Sequence, residues 1–252
     1  MKFVFVIFSI LLVNLSCGHS DLGQEGTKPP SHQSFDEFLK KFVSEEGKVD
    51  YKGMGLSRGD LEKYLNLLSQ NPPDRTTWTQ EEQLAYWINA YNAFTLKLIL
   101  DHYPVKSIQD IKPKYPIPLV NTVWHLEFFQ IGGKPASLDE IEHKILRKEF
   151  DEPRIHFAIN CASFSCPILS RDAYIPEKLE EQLNRAAIGF INDPKRNKIS
   201  IDRVEISKIF SWFGEDFTRK GSLIDYLNKY SKVKISPKAK INHLDYDWSL
   251  NE

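Results

Sequence analysis

The amino-acid sequence predicts a helix-rich α+β domain with a small, mostly antiparallel sheet. Six stretches carry apolar residues at helical spacing against four short strand-like ones, and turn-forming Gly, Pro and Asn residues fall between them. No internal repeat appears and no linker divides the region from Ser34 to Glu252, which therefore reads as one globular domain.

Ser34 precedes the first helical pattern, with Phe35, Phe38, Leu39, Phe42 and Val43 on one face. A second helix covers Arg58 to Ser69 and turns Leu61, Tyr64, Leu65 and Leu68 inward, until Asn71-Pro72-Pro73 stops it. Thr79 and Glu82 form a capping box for the longest helix, which runs to Asp101 with Leu84, Trp87, Ile88, Tyr91, Thr95 and Leu98 along its face. Pro104 closes it, and the proline-rich Lys112 to Leu119 follows as a loop.

Val123 to Ile131 reads as a strand turning at Gly132-Gly133. Ser137 and Glu140 open a helix to Glu149. Arg154 to Asn160 reads as a strand with Ile155, Phe157 and Ile159 on one face. Pro176 begins a helix to Asn192, which Asp193-Pro194 breaks, and Lys198 to Asp202 is a short strand. Ser222 caps a last helix through Tyr230, and Ile241 to Trp248 returns as a final strand.

Of the 252 residues 41% are hydrophobic, enough for one sizeable core. The 33 basic and 34 acidic residues nearly cancel, and no basic block stands out, so a nucleic-acid partner has no electrostatic footprint. Aromatic residues reach 12%, a share that reads first as a well-filled core, with an aromatic-lined cleft as the lesser alternative.

Met1-Lys2 and the apolar Phe3 to Val13 match a secretory signal peptide, being too short to cross a bilayer. Ser16 before Cys17 resembles the site where bacterial lipoproteins are cut and lipidated, although Asn14 departs from that pattern. The expected arrangement is a signal peptide over 1–16, then a lipidated Cys17 and a flexible tether over 17–33. The domain over 34–252 would then face the cell envelope, anchored to a membrane, or be secreted if Cys17 is not lipidated.

The distinctive segment is Arg154 to Leu169, RIHFAINCASFSCPIL. A cysteine at the end of an extended segment, among small residues that permit a tight turn, is both rigidly held and exposed, as a nucleophile must be. This segment, with WINAYNAF (Trp87 to Phe94), IEHKILR (Ile141 to Arg147) and YDWSLN (Tyr246 to Asn251), resembles the family called domain of unknown function 547. The resemblance implies no defined activity. The family includes bacterial exported proteins, and plant and animal proteins in which the domain can sit beside a glutaredoxin-like module. The resemblance also implies that the cysteine matching Cys161 is the more regular of the two. Serine replaces the one matching Cys166 in some relatives, which argues against an obligatory bridge.

Three states remain open for Cys161 and Cys166: a disulfide, a reactive thiol at Cys161, or plain burial. No second closely spaced Cys or His pair accompanies them, so neither a metal nor another cofactor is expected. His143, on the polar side of its helix near Asp139 and Arg147, is the imidazole proposed for the sulfur, while Glu140 and Glu142 are acids on that same helix. Strand alternation turns His156 away from Cys161, and His243 is held in reserve as the one histidine after it. Asn89 and Asn92 interrupt an aromatic helix, where they either pin a neighbouring loop or, at Asn89, steady an oxyanion. The whole chain reads first as a membrane-anchored binding or structural module for an envelope component. The alternative is a thiol-dependent hydrolase or acyl transferase acting on a small substrate, with Cys161 as nucleophile and His143 as base.

Overall fold

A computed structural model describes residues 28–112 and 122–252. The expected signal peptide, Cys17 and the expected tether as far as residue 27 lie outside those residues. The packed domain begins slightly before Ser34. Pro30 and His32 are buried, and His32 Nδ1 lies 2.7 Å from the Tyr64 hydroxyl.

Three helices, α1 (Gln33–Phe42), α2 (Tyr51–Leu56) and α3 (Arg58–Gln70), lead into the long α4 (Gln80–His102). The Thr79–Glu82 capping box forms as predicted. From Leu84 to Leu100 only Lys97 escapes burial, so α4 is the axle of the fold rather than a surface helix. Ala85, Ala90 and Ala93 let neighbouring elements approach, and Tyr86 satisfies its buried hydroxyl on the Leu68 carbonyl at 2.7 Å.

Beyond α4 come two 3₁₀ turns, Ile108–Asp110 and Val123–His125, and the antiparallel hairpin β1 (Phe129–Ile131) and β2 (Lys134–Ala136). The strand expected from Val123 is therefore confined to its last three residues. Gly132 and Gly133, with φ of 59° and 74°, make the turn, because a tight hairpin needs two residues at positive φ. Ser137 then accepts a hydrogen bond from the Glu140 amide at 3.1 Å and caps a helical stretch. This stretch is π-helical over Glu140–Leu146 and ends as α5 (Arg147–Glu149).

The strand expected at Arg154 to Asn160 is instead a helical turn, α6 (Ile155–Ala158). Ile155, His156, Phe157 and Ala158 are all buried, so no solvent face exists to mark the period. A short apolar run buried on every side reads alike as helix or strand. A 3₁₀ turn (Pro176–Lys178) and α7 (Leu179–Ile191) follow as predicted.

The hairpin β3 (Lys198–Ile199) and β4 (Arg203–Ile206) precedes three short helices: α8 (Ile209–Trp212), α9 (Gly214–Phe217) and α10 (Leu223–Leu227). The last strand, β5 (Lys240–His243), pairs parallel to β4, so this three-stranded sheet is mixed. It also ends five residues earlier than the alternation suggests, at His243.

Two apolar clusters meet at α6. Ile155 and Ala158 join the core around α4, while Phe157 joins an aromatic cluster with Phe190, Phe210, Phe217 and Tyr226. The cysteine turn leaves α6 at this seam. Among the described residues no helix is long and apolar enough to cross a membrane.

Candidate functional site

The turn after α6 is held by buried amides. On α4, Asn92 donates to the Ala158 carbonyl at 3.0 Å and accepts from the Asn160 amide at 2.8 Å. Asn160 in turn spans the turn, accepting from the Ala162 amide at 2.8 Å and donating to the Pro167 carbonyl at 2.7 Å. Ala162 sits at φ 58°, a left-handed conformation that costs a non-glycine residue about 1 kcal/mol. The surrounding bonds sustain it. The C-terminal tail closes the outside: Phe164 donates to the Ser249 carbonyl at 2.7 Å, and Ser165 donates to that of Asp247 at 3.1 Å.

Cys161 stands half-buried in this frame and Cys166 is buried, both as free thiols with their sulfurs 2.9 Å apart. Ser163 Oγ lies 3.1 Å and the Tyr246 hydroxyl 3.3 Å from Cys161 Sγ. A thiolate gathers donors that a thiol does not need. The Cys166 thiol first, then Ser163 and Tyr246, overcome the effect of burial and bring Cys161 down to about 7. Burial and the neighbouring Cys161 push Cys166 well up.

A cavity of about 250 Å³ opens beside the sulfur. Its lining brings Cys161 together with Glu142, His143, His125 and His156. The three imidazoles differ in which nitrogen is taken. A guanidinium has no lone pair to offer, so Arg147 Nη1 donates to His143 Nδ1 at 2.8 Å. That bond occupies the lone pair a general base would use, and Nε2 faces Asp139 at 3.8 Å. His125 likewise accepts at Nδ1 from the Thr122 amide and turns Nε2 toward Asp139, 3.4 Å away. His156 donates Nε2–H to Asp216 at 2.8 Å, while its buried Nδ1 finds no partner among the described residues.

Glu142 is the second titratable group of note. Burial first, and the Cys161 charge in addition, raise its carboxyl to about 7, although the Tyr91 hydroxyl donates to Oε2 at 3.1 Å. Among the described residues no group of three or more His, Cys, Asp or Glu side chains is arranged to hold a metal ion.

Residues 75–191 match the family model described as a protein of unknown function, DUF547. This segment is a DUF547 domain. No curated protein and no solved structure matches the chain. The DUF547 segment contains α4, the π-helix and the cysteine turn, hence Asn92, Glu142, His143, Cys161 and Cys166. Tyr246 and Trp248 lie beyond it and are brought to the same cavity by the tail.

Of the side chains singled out in the sequence, Cys161, Cys166 and His143 share the cavity, but no imidazole of the described residues bonds the sulfur. Asn89 is not part of its lining. Both ends of its amide are engaged by Tyr174, to whose carbonyl it donates at 2.7 Å and from whose amide it accepts at 2.9 Å. His243 is exposed on β5, away from the cavity. His125 went unnoticed because it lies in a stretch read as strand, and His156 was set aside because alternation, which does not apply to a helical turn, aimed it elsewhere.

Two outcomes follow from this geometry. Asn89→Ala leaves the Tyr174 amide and carbonyl without their buried partner and lowers stability by about 2 kcal/mol or more. A urea titration reads that loss, with the alkylation rate of Cys161 in the folded variant unchanged. In the parent chain, alkylation of Cys161 by iodoacetamide reaches half its maximal rate near pH 7. Tyr246→Phe removes a donor to the thiolate, so that midpoint moves upward, toward the ordinary thiol value.

Proposed function

We propose that the domain is a thiol-dependent acyl-transfer enzyme, a hydrolase or acyl transferase, with Cys161 as nucleophile. The observation that carries this reading is the sulfur's setting: three hydrogen-bonding neighbours around one half-buried Sγ on the wall of a cavity that also holds Glu142. With its pKa about 7, the sulfur is ionised in a large fraction at neutral pH without a partner base.

In this reaction the thiolate attacks a carbonyl carbon, forming the C–S bond while the carbonyl electron pair moves to oxygen. The oxyanion collapses, the bond to the leaving group breaks, and that group departs with the proton of the Glu142 carboxyl. Water then attacks the thioester as Glu142 takes back a proton, and the C–S electron pair returns to sulfur. Glu142 suits both steps because an acid-base group works best with its pKa near the operating pH.

The absence of an imidazole on the sulfur favours the alternative, a binding module for an envelope component, which predicts an inert Cys161. In either case a lipid on Cys17 holds the domain at a membrane, with the polar stretch between Cys17 and the buried Pro30 as tether.

With p-nitrophenyl acetate the full chain releases one equivalent of nitrophenolate in a burst and carries acetyl on Cys161. Cys161→Ser abolishes the burst, and Glu142→Gln slows the turnover after it by roughly a hundredfold. An acylation rate no faster than that of the urea-unfolded chain overturns the proposal. The anchor is tested separately by detergent phase partition of the cell-expressed protein: the parent chain enters the detergent phase and Cys17→Ser leaves it.

A further inference from the structure

Trp124, Trp212, Phe213, Tyr246 and Trp248 line the cavity beside Cys161. Four of these rings touch one another. Trp248 meets Trp124 at 5.6 Å and 62°, Trp212 at 5.7 Å and 25°, and Tyr246 at 4.4 Å and 48°. Tyr246 also meets Trp212 at 4.8 Å and 51°. Rings gathered only to build a core would be hidden, yet Trp212 remains 46% exposed, and Trp124 and Trp248 are only partly buried. Aromatic faces carry negative potential, the indole face most of all.

The formal charges on the same wall have the same sign. They are Asp139 and, when ionised, Glu142 and Cys161; no lysine or arginine is among the described residues that line it, and burial lowers the pKa of His143 and His156 there. Arg147, which reaches His143, is committed to Asp216 at 2.6 Å. An aromatic wall with acidic neighbours complements a group that is at once positive and apolar at its surface.

We infer that the acyl substrate of Cys161 carries an alkylammonium group, held against Trp212, Tyr246 and Trp248 within a few bonds of the reacting carbonyl. Tyr246 sets that separation, because the ring that belongs to the aromatic wall also places its hydroxyl 3.3 Å from Cys161 Sγ. A cavity of about 250 Å³ admits a small cationic head with a short acyl arm. The inference rests on the thiol-enzyme proposal only for the position of the carbonyl; the cation subsite is independent of it.

Tryptophan emission of the full chain, titrated at constant ionic strength, tests the subsite with tetramethylammonium, methylammonium and neutral tert-butanol. A saturable change with a cation and none with the alcohol is expected, weakened at least tenfold by Trp212→Ala, and the two cations distinguish a quaternary from a primary head. In turnover, kcat/KM for butyrylcholine exceeds that for its neutral isostere, 3,3-dimethylbutyl butyrate, at least tenfold, and the preference falls toward unity in Trp212→Ala. Equal values for the two esters, or no saturable binding of either cation, overturns the inference. If a cation binds while neither ester acylates Cys161, the enzyme proposal fails and the cation subsite stands.

Discussion

The relay of buried amides from Asn92 through Asn160 to Asn251 is the constraint on which the cysteine turn depends. Asn92 fixes the exit from α6, and Asn160 bonds across the turn to Ala162 and Pro167. Asn251 reaches Asn160 at 3.4 Å, and the Tyr51 hydroxyl secures it from behind at 2.7 Å. Buried amides of this kind stabilise only when every donor and acceptor is matched, so the network tolerates little displacement. That intolerance is what keeps Ala162 in its left-handed conformation and Cys161 at the cavity wall.

Inside the cavity, similar side chains are separated by what their second atom touches. Arg147 and the Thr122 amide occupy the basic nitrogens of His143 and His125, and leave both rings facing Asp139 through Nε2. Asp216 orients His156 the other way round. It stays ionised although burial opposes it, because His156, Arg147 and Arg219 all donate to its carboxylate. Glu142 has no guanidinium donor of its own and keeps a raised carboxyl.

Much of this was legible in the sequence where a local rule applied. Thr79 with Glu82, Ser222 before α10 and Gly132-Gly133 each forecast an element boundary, because capping and positive φ are decided by a few adjacent residues. Cys161 was legible from the small residues around it, and the interrupted aromatic face of α4 announced the buried work of Asn92. What was hidden depends on tertiary burial. His156 and Phe157 belong to a turn packed on every side, which has no period to read. Tyr246 and Trp248 were read as the end of a core strand, yet the chain leaves β5 at His243 and carries both rings into the cavity. Glu142 stood in the sequence only as an acid on the helix of His143, and its burial comes with the π-helix.

Tyr246 lies 85 positions beyond the sulfur it touches, and Asn251 lies 200 beyond Tyr51. Contacts so distant along the chain form only after the intervening segments have collapsed, since loop closure must come first. During synthesis, therefore, a nascent chain that has passed Cys166 still carries an ordinary thiol, without its phenolic neighbour. The sulfur acquires its full setting only once Tyr246 to Asn251 have left the ribosome and docked. Premature termination anywhere before Tyr246 would yield a polypeptide with the cysteine turn in its sequence but without the hydroxyl and the tail contacts that complete the sulfur's surroundings.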